Sequence, residues 1–341
     1  LVGSEMCIRD RVSILKVIEN DIKSRSFKRA YLIYGEEDYL VKKYTGLLKN
    51  NIVSEDNAVM NTEVFEGNDC NVDKIIGAGD TAPFFSDYRL VVISNSGLFK
   101  DGRKADSTEI AEAVKNIPED CVYLFTNEKV DKRNILYKAV KKVGYCCEIN
   151  YQDIKGLTEW IKEESGGRLD NNTANYFVKN IGSSMKHLAV ELDKLLNYAG
   201  DKKITSEDID TACTKSAEVN IFNMAAAIGN KDTEKALEIY NNMIFNGEEP
   251  IGILAMIARQ FRLIMQCKYL QSKKNYNARQ IAAELKQREF VAANCLTQAK
   301  NFKLAVLMKA IEDCAECDSN IKAGLIGARL GVELIILRYS K

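Results

Sequence analysis

The segment between residues 30 and 149 constrains the fold most, because short apolar runs alternate there with longer stretches of helical periodicity. Strands that alternate with helices of this length form βαβ units, which require a parallel sheet. The run at 90–93 is apolar on both faces, as expected for a strand covered by helices on each side. The predicted strands are 30–34, 62–66, 88–94, 121–126 and 145–149, and the predicted helices between them are 39–50, 72–79, 107–116 and 134–143.

After about residue 151 the strand pattern stops and the chain is predicted to be helical. A stripe of apolar residues marks a helix at 184–199, and Gly200 is well placed to end it. Thr205 with Asp208 three residues later predicts a capping box at the start of another helix. Pro250 suits the first turn of a long helix. Further helices are predicted at 278–285, 303–317 and 325–337.

These patterns predict an α/β N-terminal domain with a parallel sheet, followed by two all-α domains. The predicted boundaries are 13–150 for the α/β domain, 151–213 for a small helical domain and 214–341 for a larger helical domain. Residues 1–12 are set apart, because the string SEMCIRDR at 4–11 resembles a translated sequencing-adaptor sequence. We therefore expect a non-native leader at 1–12, the alternative being the genuine start of a helix.

Composition limits the classes of function. The 48 basic and 48 acidic residues cancel, so no strong overall field draws the chain to nucleic acid or to a membrane. From residue 215 to the end, 18 basic residues face 13 acidic ones, a mild excess of +5 that is compatible with a DNA-facing region. Neither a run of membrane-spanning length nor a signal peptide is evident. The ten cysteines therefore predict free thiols in a reducing compartment, the cytoplasm.

The first predicted strand ends at Gly35, as does the strand before many phosphate-binding loops. Such a loop needs a second glycine followed by Lys and Ser or Thr, so that backbone N–H groups and the lysine can hold phosphates. Here Glu36, Glu37 and Asp38 place three carboxylates where phosphates would lie. We therefore predict that Gly35, Glu36, Glu37 and Asp38 form a degenerate nucleotide loop that binds no nucleotide, and we expect no cofactor.

A second element of nucleotide hydrolysis is also missing. An acidic Mg²⁺ ligand normally follows an interior strand of such ATPases, whereas residues 94–97 read Ser-Asn-Ser-Gly. The residues thus predict a scaffold of the nucleotide-hydrolase type without the hydrolase chemistry, and we assign no catalytic residue.

Other chemistry-bearing residues favour structural roles. His187 is the chain's single histidine, and Cys314 with Cys317 lacks the second pair that a zinc site requires, so we expect no metal. The triplet 131–133 (DKR) is compatible with capping the next helix or with contacting a partner.

The most informative loop contains Pro83, Phe84 and Phe85. Two adjacent aromatic residues after a proline, between a predicted helix and a predicted strand, cannot easily both point into the core. Two exposed rings at the tip of a loop would suit docking into the pocket of a partner. The residues alone leave docking and ordinary packing equally open.

Eight segments, taken in order, resemble the delta subunit family of bacterial DNA polymerase III clamp loaders. Each is modest by itself, but their ordered combination from about residue 13 to 338 is specific. The segments are AYLIYGEE at 30–37, FFSDYRLVV at 84–92, DKR at 131–133, LAVELDKL at 188–195, NIF at 220–222, GEEP at 247–250, ARQFR at 258–262 and DSNIK at 318–322.

The resemblance implies a P-loop, AAA+-like N-terminal domain, a small helical lid and a helical collar that joins other loader subunits in a ring. It implies that Phe84 and Phe85 occupy the family's hydrophobic wedge, which binds and opens the sliding clamp without ATP hydrolysis by this chain. Ala82 stands where the wedge can include a further apolar residue, which leaves the exact footprint open.

The partners implied are the sliding clamp (beta subunit), the ATP-hydrolysing gamma or tau subunits, delta-prime, and primed DNA within the assembled complex, with no membrane. The chain would belong to a DNA-directed DNA polymerase holoenzyme without a catalytic site of its own. Two rival functions remain: an ATP-hydrolysing enzyme on the same scaffold, and a nucleic-acid-binding helical protein that acts without a clamp.

Overall fold

The structure is a computed structural model that describes residues 8–68 and 70–341, with the side chains of 8–15 left out. It divides into two compact units, one ending at Gln152 and the other beginning at Asp153. Residues 1–7 of the expected leader lie outside the described residues, and residues 8–12 begin a helix, so the non-native origin of 1–12 stays a prediction.

The N-terminal unit is a five-stranded parallel sheet with helices between the strands, in the order β2-β3-β4-β1-β5. The predicted parallel α/β fold is therefore confirmed. The strands are β1 (Ala30–Tyr34), β2 (Thr62–Glu66), β3 (Arg89–Ser94), β4 (Cys121–Asn127) and β5 (Tyr145–Glu148). The helices are α1 (Ile8–Ser24), α2 (Asp38–Ile52), α3 (Ala58–Asn61), α4 (Val72–Asp80), α5 (Lys104–Lys115) and α6 (Ile135–Val143), and a 3₁₀ turn at Glu55–Asn57 precedes α3.

The central strands are buried on both faces, as their uninterrupted apolar sequences require. Every residue of β1 is buried, and so are the first five residues of β3. Alternate strand residues such as Leu32, Val91 and Phe125 join one apolar cluster with the inner faces of α4, α5 and α6. Because β1 lies between β4 and β5, the loop after β1 emerges beside the carboxyl ends of both neighbours.

The second unit is helical in its described residues, as predicted. Its first helices are α7 (Ile154–Glu164), α8 (Asn171–Ile181), α9 (Met185–Ala199) and α10 (Ser206–Ala212). The predicted boundary signals act as expected: the Ser184 side chain caps α9, Gly200 follows its last residue, and Thr205 with Asp208 forms the capping box of α10. The buried Glu191 of α9 accepts a hydrogen bond from the Thr214 backbone N–H at 2.8 Å, which fixes the chain as it leaves these helices.

The remaining helices share a single apolar core that extends from Ile221 to Tyr339. They are α11 (Ala217–Gly229), α12 (Thr233–Phe245), α13 (Pro250–Lys274), α14 (Ala278–Leu285), α15 (Glu289–Ala299), α16 (Leu304–Lys322) and α17 (Ala328–Tyr339). Pro250 occupies the first turn of α13, as predicted. The division of this unit into a lid and a collar stays a prediction. Among the described residues, no helix has the length and apolar character needed to cross a membrane.

Candidate functional site

The loop at 81–88, between α4 and β3, presents two aromatic rings to solvent. Phe84 is 56% exposed and Phe85 is 84% exposed. The rings contact each other edge to face, with centroids 4.6 Å apart and planes at 82°. Pro83 is half-buried, and Ala82 is exposed. The alternative of ordinary core packing therefore does not describe these rings, while their use in docking stays a prediction.

The side chain of Asn61 holds the backbone of the loop. Asn61 ends α3 and is fully buried. Its Oδ1 accepts a hydrogen bond from the Phe84 N–H at 2.6 Å, and its Nδ2 donates to the Phe84 carbonyl at 2.8 Å. The same Nδ2 also donates to the Asn57 carbonyl at 3.0 Å. All the polar groups of the Asn61 amide are thus used, and the backbone of Phe84 is fixed where its ring projects outward.

Phe85 adopts a left-handed backbone conformation with φ of +51°. Residues with a bulky side chain rarely adopt this conformation, which costs them about 1–3 kcal/mol. The Nδ2 of Asn57 donates a hydrogen bond to the Phe85 carbonyl at 2.9 Å, so the turn receives a second support from the same segment. Strain of this kind is retained when the surrounding structure enforces it, and it is typical of residues placed for contact.

Arg89 anchors the end of the loop where β3 begins. Its guanidinium is buried and donates to the Ala78 carbonyl through Nε, to the Met60 carbonyl at 3.2 Å through Nη1, and to Glu63 Oε2 at 3.0 Å through Nη2. These bonds join α4, α3 and β2 around the first residue of β3. The carboxyl end of the loop is therefore fixed to these three elements by hydrogen bonds.

Val59 and Met60 add apolar surface that the sequence analysis did not identify. Both lie in α3, between the two asparagines that support the loop, and they are 90% and 63% exposed. Their position beside Phe84 and Phe85 follows from the bonds of Asn57 and Asn61, which join residues 23 to 28 positions apart. Sequence contains no local signal for such a pairing. The signal in the sequence that could have indicated this surface is the pair of consecutive apolar residues in a one-turn helix, which is too short to bury both.

The Gly35 loop follows β1, where a phosphate-binding loop would lie, but three of its backbone N–H groups already donate hydrogen bonds within the chain. The Gly35 N–H donates to the Asn127 carbonyl at 3.1 Å, the Glu37 N–H to the Ile149 carbonyl at 3.1 Å, and the Asp38 N–H to the Glu36 carbonyl at 3.1 Å. Phosphate loops direct such N–H groups at their ligand. A Cβ on Gly35 would lie 2.0 Å from the Ile149 carbonyl oxygen, so the loop packs tightly against the chain after β5.

Carboxylates occupy the helix end that would attract an anion. α2 begins at Asp38, and its N-cap residue Glu37 is buried. Asp38 pairs with Lys42, one turn further along α2, at 2.7 Å. A helix N-terminus favours negative charge, and here the chain supplies that charge itself. The nearby side chain of Asn127 is buried without a hydrogen-bond partner in the described part of the chain, so it retains hydrogen-bonding capacity at this sheet edge.

The other residues considered from sequence have local structural partners. The ring of His187 contacts the Thr214 carbonyl at 3.2 Å through Nε2. Cys314 and Cys317 are buried on α16, and burial raises the pKa of Cys314 to about 12, which keeps its thiol protonated. Within residues 8–68 and 70–341, no group of three or more His, Cys, Asp or Glu side chains could hold a metal ion.

The triplet at 131–133 forms ion pairs rather than a helix cap. Asn134 caps α6. Arg133 pairs with Asp131 at 2.9 Å, and Lys132 pairs with Glu148 of β5 at 2.7 Å.

Two family models match the chain, one in each unit. Residues 31–152 match the family described as DNA polymerase III, delta subunit. Residues 218–339 match the family described as DNA polymerase III delta subunit, C-terminal domain. Together these matches contain the Gly35 loop, the Phe84–Phe85 loop and the core of α11–α17.

Known proteins are similar over nearly the whole chain. A DNA polymerase III subunit delta of Bacillus subtilis (strain 168) is 28% identical over 331 residues, which cover 94% of this chain and 95% of that protein. A probable DNA polymerase III subunit delta of Aquifex aeolicus (strain VF5) is 24% identical over 300 residues, with 82% and 84% covered. A solved structure, the Bacillus subtilis DNA clamp loader delta protein, superposes with a TM-score of 0.82 at 26% identity and covers 96% of this chain and 99% of its own.

Proposed function

Because this chain belongs to the family of clamp-loader delta subunits of DNA polymerase III, we propose that it binds the sliding clamp through Phe84 and Phe85 and opens it for loading onto primed DNA. The observation that carries this proposal is the exposure of both rings on a loop whose backbone is fixed by buried Asn61. A fixed loop loses little conformational entropy when it docks, so more of the contact energy remains for binding.

The energy available from the wedge supports binding and part of opening. Fully burying an aromatic side chain contributes about 1.5–3 kcal/mol, so the two rings contribute roughly 3–6 kcal/mol at most. Shifting a closed clamp from 1:99 to 99:1 in favour of the open form needs a preference of about 5.5 kcal/mol. The two rings alone reach this value only at their upper limit. We therefore include Val59 and Met60 in the proposed contact surface, since both are exposed on the helix that supports the loop.

The wedge acts by selecting the open form of the clamp. A ligand shifts a conformational equilibrium only by the difference in its affinity for the two states. The rings therefore need a pocket that accepts them better when the clamp is open, and their rigid presentation favours such discrimination. No covalent chemistry by this chain is required.

The proposal assigns ATP hydrolysis to companion subunits of the gamma or tau kind. It is supported by the Gly35 loop, in which the N–H groups of Gly35, Glu37 and Asp38 are bonded to the chain's own carbonyls and Glu37 and Asp38 lie at the start of α2. The helical core of α11–α17 would serve as the collar that joins this chain to those subunits and to delta-prime. The proposal also places the chain in the cytoplasm, as a non-catalytic member of the polymerase holoenzyme.

Calorimetric titration of the full chain with a sliding clamp tests the proposal. The variant Phe84→Ala/Phe85→Ala should lose at least a hundredfold in affinity, in line with about 3 kcal/mol of lost burial. A matched control is Val190→Ala/Tyr198→Ala, which removes two comparably exposed apolar side chains of α9, 53% and 58% exposed. Unchanged affinity in the double Phe variant, or an equal loss in the control, would refute the wedge.

A further inference from the structure

A groove with a volume of about 600 Å³ lies along α11 and α12 and is lined mainly by polar side chains. The two helices are joined only by residues 230–232 and pack against each other as an antiparallel pair, so the start of α11 lies beside the end of α12. Asn220 and Asn223 of α11 line this end of the groove together with Asn242 of α12 and its C-cap residue Asn246. We call these four residues the asparagine cluster.

The side-chain amides of the cluster are largely unused within the chain. Among the described residues, the side chains of Asn223, Asn242 and Asn246 form no hydrogen bond with another residue. Asn220 makes a single long bond, from Nδ2 to the Lys215 carbonyl at 3.4 Å. Asparagine is a poorer helix former than alanine, so these residues lower helix stability without an internal bond in return. Each amide can donate two hydrogen bonds and accept two, so the cluster presents adjacent donors and acceptors to a ligand.

An extended polypeptide backbone has the matching alternation of groups. Each of its peptide units carries one N–H donor and one carbonyl acceptor, and a single asparagine amide can pair with both. Asn61 of this chain does so: its Oδ1 accepts from the Phe84 N–H, and its Nδ2 donates to the Phe84 carbonyl. Groups on the same side of an extended chain recur every second residue, about 6.6 Å apart. The four positions between Asn242 and Asn246 correspond to about 6 Å along a helix, a similar spacing.

The charges of the groove do not favour a polyanionic ligand. Its lining contains two lysines and two carboxylates. Lys235 pairs with Glu238 at 2.8 Å, and Asp232 accepts a hydrogen bond from the Lys235 N–H at 3.0 Å. Nucleic acid is bound chiefly by cations that neutralise its phosphates, whereas a peptide backbone is neutral. Lys215 forms no ion pair with another described residue, so it is available to a single acidic side chain.

We propose that the asparagine cluster binds an extended segment of a partner protein through the backbone of that segment. Asn223 and Asn242 pair with its peptide units, and Lys215 pairs with an acidic side chain. Phe245, which lies between two members of the cluster in sequence and is 90% exposed, contacts an apolar side chain. A folded partner fits less well, because its backbone groups are already paired within its own helices and strands. The inference goes beyond clamp binding, and its test uses no clamp.

The first experiment selects ligands from a phage-displayed library of random peptides of about eight residues, long enough when extended to span α12. The full chain is the immobilised target, and the enriched peptides are then labelled and titrated with it by fluorescence anisotropy. The variant Asn223→Ala/Asn242→Ala should bind them at least tenfold more weakly, and it should fold normally because alanine favours helix. The matched control Asn197→Ala/Asn294→Ala removes two exposed asparagines of α9 and α15 and should bind as the unchanged chain does.

The second experiment tests whether the backbone is recognised. Methylation of one peptide nitrogen at a time removes a single N–H donor and leaves every side chain in place. Affinity should fall at least tenfold at alternating positions of the peptide and change little at the positions between them.

Four outcomes would overturn the proposal. The library could yield no enriched peptide, or the enriched peptides could bind the Asn223→Ala/Asn242→Ala variant as tightly as the unchanged chain. The control variant could lose as much affinity as that variant, so that the loss would not be specific to the cluster. Finally, methylation could be tolerated at every position, or an oligothymidylate could displace the peptide, which would assign the groove to side-chain recognition or to nucleic acid.

Discussion

The side chain of Asn61 both donates a hydrogen bond to the backbone of Phe84 and accepts one from it, although the two residues are 23 positions apart in the sequence. Oδ1 accepts from the Phe84 N–H at 2.6 Å and Nδ2 donates to the Phe84 carbonyl at 2.8 Å. Two kinds of side chain therefore have separate roles at this site: the buried amide of Asn61 sets the position of the loop, and the exposed rings of Phe84 and Phe85 provide the contact area.

Asn61→Ala should therefore weaken clamp binding although both aromatic rings remain. The variant leaves the N–H and carbonyl of Phe84 without their partner and frees the loop to sample other conformations. We expect at least a tenfold loss of clamp affinity by calorimetry, and a loss of about 1–3 kcal/mol in the free energy of unfolding. Asn51→Ala is the control, because the Asn51 side chain is exposed and bonds only to the Leu47 carbonyl. Full clamp affinity in Asn61→Ala would show that the loop needs no such support.

Phe85→Gly separates backbone strain from ring contact. Glycine adopts the φ of +51° without steric cost, whereas alanine retains part of the strain. We expect Phe85→Gly to unfold at a urea concentration equal to or above that of Phe85→Ala, against the usual order in which glycine is the less stable. Both variants should lose clamp affinity to the same extent, because both lack the ring. Recovery of binding in the glycine variant would mean that loop flexibility, not the ring, drives docking.

Local sequence signals were sufficient for most of the fold. The ends of the predicted strands lie within one residue of those observed. The reason is that β1, β3 and β4 are apolar on both faces, whereas the sequences that flank them are not. The helix predicted at 303–317 extends to Lys322, where the i,i+4 pair of Asp318 and Lys322 at 2.6 Å stabilises an additional turn. The helix predicted from 325 begins only at Ala328, since Gly324 adopts a φ of +73° and ends the preceding helix.

The candidate site was less predictable, because its supports are distant in sequence. Pro83, Phe84 and Phe85 are conspicuous by residue type alone, and the structure places both rings at the surface. Asn61 and Arg89 are ordinary residues whose importance depends on contacts between α3 and the segment that contains the loop and the start of β3, 20 to 30 positions later in the sequence. Hydrophobic periodicity reports which face of an element is buried, but it does not report which buried polar group bonds to which backbone.

Gly35→Ala tests the packing of the degenerate nucleotide loop. The added Cβ would lie 2.0 Å from the Ile149 carbonyl oxygen, and alanine does not tolerate the φ of +140° found there. We expect a loss of about 3 kcal/mol in the free energy of unfolding, measured by urea denaturation. Gly46→Ala is the matched control: it lies within α2 with no atom within 4 Å of its Cβ, and it should raise stability by about 0.5–1 kcal/mol. Equal effects at the two positions would contradict the tight contact between the loop and the chain after β5.

Asp313 should make the α16–α17 contact sensitive to acid. Burial acts to raise the pKa of this carboxyl group, but Tyr339, Arg338 and Lys309 outweigh burial and lower it to about 2. The Tyr339 hydroxyl and Arg338 Nη1 each donate to Oδ2 at 2.7 Å, and Lys309 lies 3.0 Å from Oδ1. A carboxyl group with a lowered pKa in the folded state contributes its full stabilisation above its ordinary pKa and loses it as pH falls from about 4 to about 2.

Asp313→Asn should consequently reduce the free energy of unfolding by about 2 kcal/mol at pH 7, the value that corresponds to the shift in pKa. At pH 2 the two proteins should differ much less, because the carboxyl group of the unchanged chain is then about half protonated in the folded state and almost fully protonated in the unfolded state. Urea denaturation of both proteins at the two pH values gives this difference directly. Asp318→Asn serves as the control, since its pair with Lys322 is partly exposed and should contribute under about 1 kcal/mol at either pH. A difference for Asp313→Asn that is the same at pH 7 and pH 2 would show that the ionised carboxylate does not stabilise the contact between these helices.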